Sequence, residues 1–135
     1  MVIDTSGLVA ILCDEPDAEW YENQIDADTT RLMSVASVLE TAMVVENRFG
    51  ESVGRDLDLL VHRLPIEVVP MDREQLEWAR IAFRRFGKGR HPAGLNFGDC
   101  FSYALARVTS EPLLFKGDDF GRTDVKTVRG EDVLP

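Results

Sequence analysis

Long apolar runs are absent from this sequence. The longest, Leu8 to Cys13, is far too short to cross a bilayer, so no membrane partner is expected. The N-terminus lacks the basic n-region and extended apolar h-region of a signal peptide, and the expected compartment is the cytoplasm. Cysteine is scarce. Cys13 and Cys100 are the two present, and they form neither a disulfide framework nor a metal-ligand spacing. They read as small apolar core residues. Histidine is equally scarce: His62 and His91 stand isolated, which excludes the usual zinc constellations and casts both as surface residues. Repeats, low-complexity tracts and linker-like breaks are missing too. What remains is an ordinary globular composition, 44% hydrophobic and 29% charged, and a length of 135 residues that fits a single domain over 1–135.

Positive charge is also in short supply. The formal net charge is −9, which argues against a non-specific nucleic-acid binder. The deficit is uneven, however. Between Trp78 and Gly98 there is no Asp or Glu, while Arg80, Arg84, Arg85, Lys88 and Arg90 give that stretch +5 and leave −14 for the remainder. A basic segment on an acidic body suits local contact with an anion; a solvated helix face followed by a loop is the plain alternative.

Short apolar runs alternate with helical segments. Met1 to Ile3 reads as a strand ending at Asp4, and Ser6 to Asp14 as a helix. Pro16 suits the first turn of a second helix reaching Ala27, since its missing N–H is harmless there. Leu32 to Val35 is a strand candidate, Ser37 to Phe49 a helix stopped by Gly50, and Glu51 to Arg63 another helix. Ile66 to Val69 reads as a buried strand. The next helix is the best signalled: Asp72 and Gln75 match a capping box, Met71 and Leu76 a hydrophobic staple, and Leu76, Ala79, Phe83 and Phe86 an apolar face. A Gly-rich loop runs from Gly87 to Leu95, and Asn96 caps a helix with the face Phe101, Ala104, Leu105 and Val108. Leu113 to Phe115 and Val125 to Val128 complete the strand candidates. Such alternation predicts an α/β domain with a mostly parallel sheet flanked by helices. Ligands bind beyond the carboxyl ends of such strands, which directs attention to Asp4, Asp72 and the segment Lys116 to Asp119.

Each acid near those ends has a plain explanation and a chemical one. Asp4, followed by Thr5 and Ser6, caps a helix start or offers a charge there. Glu40 completes the capping-box pattern Ser37-Val38-Leu39-Glu40, yet it lies among apolar residues where a carboxylate needs a partner. Asp99 sits in the first turn of its helix, where the dipole favours an ionised carboxylate and where it is a ready metal ligand. Asp118 and Asp119 are turn residues or close a carboxylate ring. Carboxylates that converge repel one another, and a hard cation such as Mg²⁺ or Mn²⁺ relieves the repulsion.

At this point the order of motifs resembles that of the PIN-domain ribonucleases of the VapC toxin type. Val2-Ile3-Asp4-Thr5-Ser6 is similar to the family's opening strand, Glu40 falls at its second acid, and Leu95-Asn96-Phe97-Gly98-Asp99-Cys100 is similar to its third-acid motif. Leu113 to Phe120 resembles its last strand and acidic loop. The resemblance covers essentially the whole chain, and it implies an α/β/α sandwich acting as a Mg²⁺- or Mn²⁺-dependent endoribonuclease. It further implies a toxin that cuts cellular RNA, often structured RNA such as tRNA, is inhibited by a VapB-type antitoxin, and forms a homodimer and higher toxin–antitoxin complexes. Carried over, Asp4, Glu40 and Asp99 match the family's acids, and Asp118 or Asp119 fills the fourth place, with Asp119 favoured. Asp4 and Asp99 would hold the principal metal, and Glu40 with Asp119, or Asp118 in its place, would support that metal's ligands, hold a second ion or orient the water. Thr5, Ser6 and Asn96 would support the acids, and Arg84, Arg85, Lys88 and Arg90 would meet the RNA backbone.

Two other readings fit part of the pattern. A receiver-type phospho-accepting domain would cast Asp4, Asp72 and Lys116 in its key places, although it usually shows a pair of acids after the first strand. A PIN-like fold that only binds, with an inactive site, is the third.

Overall fold

The computed structural model describes residues 1–128. In chain order these form β1 (Val2–Ile3), α1 (Thr5–Leu12), α2 (Ala18–Ala27), β2 (Leu32–Ser34), α3 (Val35–Phe49), α4 (Ser52–Arg63), β3 (Glu67–Val69), α5 (Arg73–Phe86), α6 (Phe97–Thr109) and β4 (Leu113–Leu114), followed by a 3₁₀ turn at Phe120–Arg122. The sheet is parallel in order β3-β2-β1-β4. The chain therefore builds outward from β1 through β2 and β3, then returns to the other side of β1 to lay down β4. That reversal creates a crevice beyond the carboxyl ends of β1 and β4, the place where such sheets bind ligands.

Period-two alternation assigns the core to two layers. Ile3 and Leu114 face one cluster with Leu8, Ile25, Met33 and Leu57, drawn from α1, α2, β2 and α4. Val2 and Leu113 face the other, with Leu95, Tyr103, Leu105 and Phe120. Helices thus cover both faces of the sheet, as an α/β/α sandwich requires. The predicted strand at Val125–Val128 is reduced to a single parallel bridge between Leu113 and Thr127. Among the described residues, no helix is long and apolar enough to cross a membrane.

Local chemistry moved several boundaries. Ser34, not a later residue, caps α3 by accepting from the Ala36 N–H. Ser37 is consequently inside the helix, and the Ser37–Glu40 capping box does not form. Pro16 lies in the turn before α2, whose cap position is Asp17, rather than in its first turn. At α5 only half of the expected box is made: Asp72 Oδ1 accepts from the Gln75 N–H at 2.8 Å, while the Gln75 amide donates to the Pro70 carbonyl at 2.9 Å. The apolar face expected for α5 is split. Ala79 and Phe86 pack inward with buried Ala82 and Gln75, but Leu76 and Phe83 stay 46% and 44% exposed. α6 buries nearly its full girth through Cys100, Ser102, Tyr103, Ala104, Leu105 and Ala106, while the predicted contacts Phe101 and Val108 are only half-buried.

The Gly87–Leu95 loop is ordered. Its ends bridge to each other, and His91, half-buried rather than a surface group, accepts from the Ala93 N–H through Nδ1 at 3.0 Å and lies edge-on to Phe86. Cys100 is buried and Cys13 half-buried.

Candidate active site

Asp4 stands where β1 becomes α1, and it is buried. Its carboxylate is held from three directions. Oδ2 accepts from the Ser6 N–H at 3.0 Å and the Ser6 hydroxyl at 2.6 Å, and Oδ1 accepts from the Ser102 hydroxyl at 2.5 Å. The Ser6 hydroxyl in turn accepts from the Lys116 N–H at 2.9 Å, so the ends of β1 and β4 are tied through one side chain. Capping and charge presentation, which looked like alternatives for Asp4, are met by the same atoms.

Glu40 projects from α3 toward the start of α6. The Thr5 hydroxyl reaches Glu40 Oε1 at 2.6 Å and the Ser37 carbonyl at 3.2 Å. The approach to α6 is possible because residue 98 is glycine: a Cβ there would stand 2.2 Å from Glu40 Oε2. Glu40 is therefore turned toward the crevice rather than serving its own helix end.

Asp99 and Asn96 form a complete capping box, with the Asp99 N–H donating to Asn96 Oδ1 at 2.9 Å and the Asn96 N–H to Asp99 Oδ2 at 3.0 Å. Burial raises the Asp99 carboxyl most. The Asn96 hydrogen bond opposes the rise, the charges of Asp4, Asp119 and Glu40 add to it, and the group ends at about 7. Asp119, exposed at the start of the 3₁₀ turn, is thus one of the charges acting on Asp99; its neighbour Asp118 is not among them. Thr5, Ser6 and Asn96 each bond to a different acid: Glu40, Asp4 and Asp99.

Four carboxylates from four separate stretches of chain therefore share one field at the switch point of the sheet. They do not form a finished coordination shell: among the described residues, no three carboxyl, imidazole or thiol groups are gathered closely enough. The donor set is nevertheless all oxygen, and its mutual repulsion is what a divalent cation relieves, so the residues present fit a hard metal ion.

Sequence reading missed three residues at this site. Ser102 is fully buried and holds Asp4; Ser37 stands 3.3 Å from the Ser102 hydroxyl; Gly98 admits Glu40. The signal for Ser102 was available, since it follows Asp99 by one helical turn and interrupts an apolar helix.

The predicted basic set is divided. Arg84 and Arg90, together with Arg80, line a groove between α5 and α6 that also includes Phe97. Arg90 is held there with its guanidinium 4.6 Å from the Phe83 ring centroid. Arg85 instead faces Asp124 at 3.9 Å, beside Arg107 and the Tyr103 hydroxyl, which donates to Asp124 at 2.6 Å. Lys88 is exposed at the start of the loop. The receiver-like arrangement does not assemble. Asp72 caps α5 after the edge strand β3, and the Lys116 ammonium is engaged by Asp17 at 2.9 Å and Glu15 at 3.2 Å.

Comparison with known proteins gives a consistent result. A family model described as PIN domain matches residues 1–126. Over 128 residues the chain is 62% identical to Ribonuclease VapC of Mycolicibacterium smegmatis, covering 95% of this chain and 99% of that one. It is 60% identical over 128 residues to Ribonuclease VapC30 of Mycobacterium tuberculosis, covering 95% of this chain and 98% of the relative. Among solved structures, the crystal structure of Mycobacterium tuberculosis VapC20, described as a sarcin–ricin loop cleaving toxin, superposes with a TM-score of 0.77 over 95% of this chain and 98% of that one. Its sequence identity is 18%, so that likeness speaks for the fold.

Proposed function

The chain belongs to the PIN-domain family, and from that membership we propose that it is a VapC-type toxin, an endoribonuclease that hydrolyses phosphodiester bonds of cellular RNA in the crevice beyond β1 and β4. The observation that carries the reading is the shared field at Asp99, where three other carboxylates act on one desolvated acid.

We assign Asp4 and Asp99 as the principal ligands of a Mg²⁺ or Mn²⁺ ion, with Glu40 and Asp119 completing the acid set; Asp118 is the less favoured candidate for the fourth place. Bound there, such an ion would supply positive charge to the scissile phosphate and acidify an attacking water. The chain's own residues prepare that chemistry. Ser6 and Ser102 fix both oxygens of Asp4, so its orientation is set before any ligand arrives. The capping box fixes Asp99 in the same way. Thr5 holds Glu40 through Oε1, and Gly98 lets Oε2 come close to the α6 backbone. The first turn of α6 then presents its partial positive charge to these acids.

An acidic site repels RNA, so substrate must be gathered by cations beside it. Arg80, Arg84 and Arg90 line the adjoining groove, and we assign them to the phosphate backbone. A cognate VapB-type antitoxin would inhibit by placing an Arg or Lys among the carboxylates. Action in the cytoplasm, and a homodimer within a larger toxin–antitoxin complex, belong to the same proposal.

The test is cleavage of a total small-RNA pool with Mg²⁺ or Mn²⁺, comparing wild type with folded Asp4→Asn and Asp99→Asn variants. Discrete, metal-dependent cuts that vanish in both variants are expected. Cuts of equal strength in the variants would place the active site elsewhere.

A further inference from the structure

Phe97 is 83% exposed, the highest value among the large exposed hydrophobic side chains. It is the first residue of α6, two positions before Asp99, where a polar side chain would serve the helix equally well. Its ring meets Phe101 edge to face, with 4.9 Å between centroids, a contact that steadies the ring while leaving most of it open. It also lies at the junction of two grooves. One runs between α5 and α6 and carries Arg80, Arg84 and Arg90; the other runs between α3 and α6 and carries Glu40.

We propose that Phe97 is a stacking platform for an unpaired nucleobase beside the scissile phosphate, an inference that rests on the ribonuclease reading above. Every base has a π-face, so one exposed aromatic ring accepts any of them and positions the strand without reading its sequence. The groove's floor is apolar, with Leu76 and Phe83 exposed in it, but the charge along it is all positive, which suits a phosphate backbone. Three guanidinium groups border the groove that Phe97 closes, and one of them, Arg90, is already fixed over an aromatic ring. A strand with its phosphates along those arginines and one base on Phe97 would run on into the groove that carries Glu40.

The inference is tested with Phe97→Leu, which keeps the apolar character but removes the π-face, and Phe97→Trp, which enlarges it. Both side chains are solvent-facing, so melting temperatures should match wild type and loss of fold is excluded directly. RNA cutting is followed on whichever species of the small-RNA pool wild type cleaves, over a range of RNA concentrations. Phe97→Leu should raise KM about tenfold or more, the fold-change of losing one base stack, with a smaller effect on kcat. Phe97→Trp should cut within a few-fold of wild type, and titration with the same RNA should quench its fluorescence beyond any change that Trp20 and Trp78 show in the wild type. Equal cutting by Phe97→Leu and wild type overturns the inference while leaving the ribonuclease reading intact. So does equal loss in both variants, which would mark a shape-specific apolar contact instead. If Phe97→Leu cuts normally but loses its cognate antitoxin, the ring belongs to a protein interface and the inference is overturned. A wild type that cuts no RNA removes the ribonuclease reading and this inference together.

Discussion

Asp4 accepts three hydrogen bonds, and the one from Ser102 comes from a fully buried hydroxyl. Ser102→Ala removes a donor to a buried carboxylate and leaves nothing in its place. Chemical denaturation should show a loss of about 1.5–3 kcal/mol, the usual range for a hydrogen bond to a charged group. Cutting should fall as well, and Ser102→Thr should restore part of both; unchanged stability in Ser102→Ala would mean that Asp4 is held by Ser6 alone. Asp99 carries a different expectation. Its carboxyl is raised to about 7 from an ordinary value of 3.8, so the folded chain holds a proton that the unfolded chain has released. Folded-state stability from this group therefore falls as pH rises from about 4 through 7. Asp99→Asn, which keeps an acceptor for the Asn96 N–H, should melt higher than wild type above pH 7 without divalent ions, with the difference closing near pH 4. Added Mn²⁺ should raise the wild type and not the variant. A variant that melts lower at pH 8 would show that burial and the neighbouring acids do not disfavour the Asp99 charge as described.

At the scale of elements, the site depends on how closely α3 approaches α6. Gly98→Ala puts a methyl group into the Glu40 carboxylate, and one helix or the side chain must give way. Overpacking of this kind costs about 1–3 kcal/mol, and the acid is displaced in the same step. Adding Glu40→Ala to Gly98→Ala should recover stability but not cutting, a coupling that a double-mutant cycle measures. Additive losses would mean that the two positions do not meet. Helix starts were largely legible in the sequence. Asp4, Asp72 and Asn96 all cap as their residue types suggested, because capping is a local interaction read over three or four positions. Faces were less legible. Period-3.6 spacing found the apolar residues of α5, but it cannot say which of them a neighbouring helix covers, and Leu76 and Phe83 stayed in solvent. The Ser37–Glu40 pattern misled for a related reason. Ser34 had already capped the helix, leaving Ser37 to turn inward and Glu40 to answer Thr5 across the fold.

For the whole molecule, the strand order β3-β2-β1-β4 was not legible, because pairing partners are chosen by packing over long separations. The rule that ligands sit beyond the carboxyl ends of parallel strands pointed to Asp4 and to the segment Lys116 to Asp119, but also to Asp72, which caps α5; Glu40 and Asp99, inside helices, came from the resemblance of motifs. Charge acts at this scale too. A body of net charge −9 repels RNA at long range, so capture relies on the arginines of one groove. Replacing Arg80, Arg84 and Arg90 with Ala should weaken cutting and flatten its dependence on salt, the slope falling by roughly 0.7–0.9 for each phosphate that is no longer neutralised. Arg85→Ala should leave the slope alone, because that side chain faces Asp124; an equal change in both would assign the whole basic stretch to the substrate. The placement of β4 beside β1 has one more consequence, which concerns the order of folding. The pairing joins Val2 to Leu113 and Ile3 to Leu114, residues far apart in the chain, and Asp119 follows that strand. The first half of the chain carries Asp4 and Glu40, but neither Asp99 nor Asp119 nor the strand that closes the crevice. Contacts of such separation are slow to form, so the acids should be gathered together late in folding.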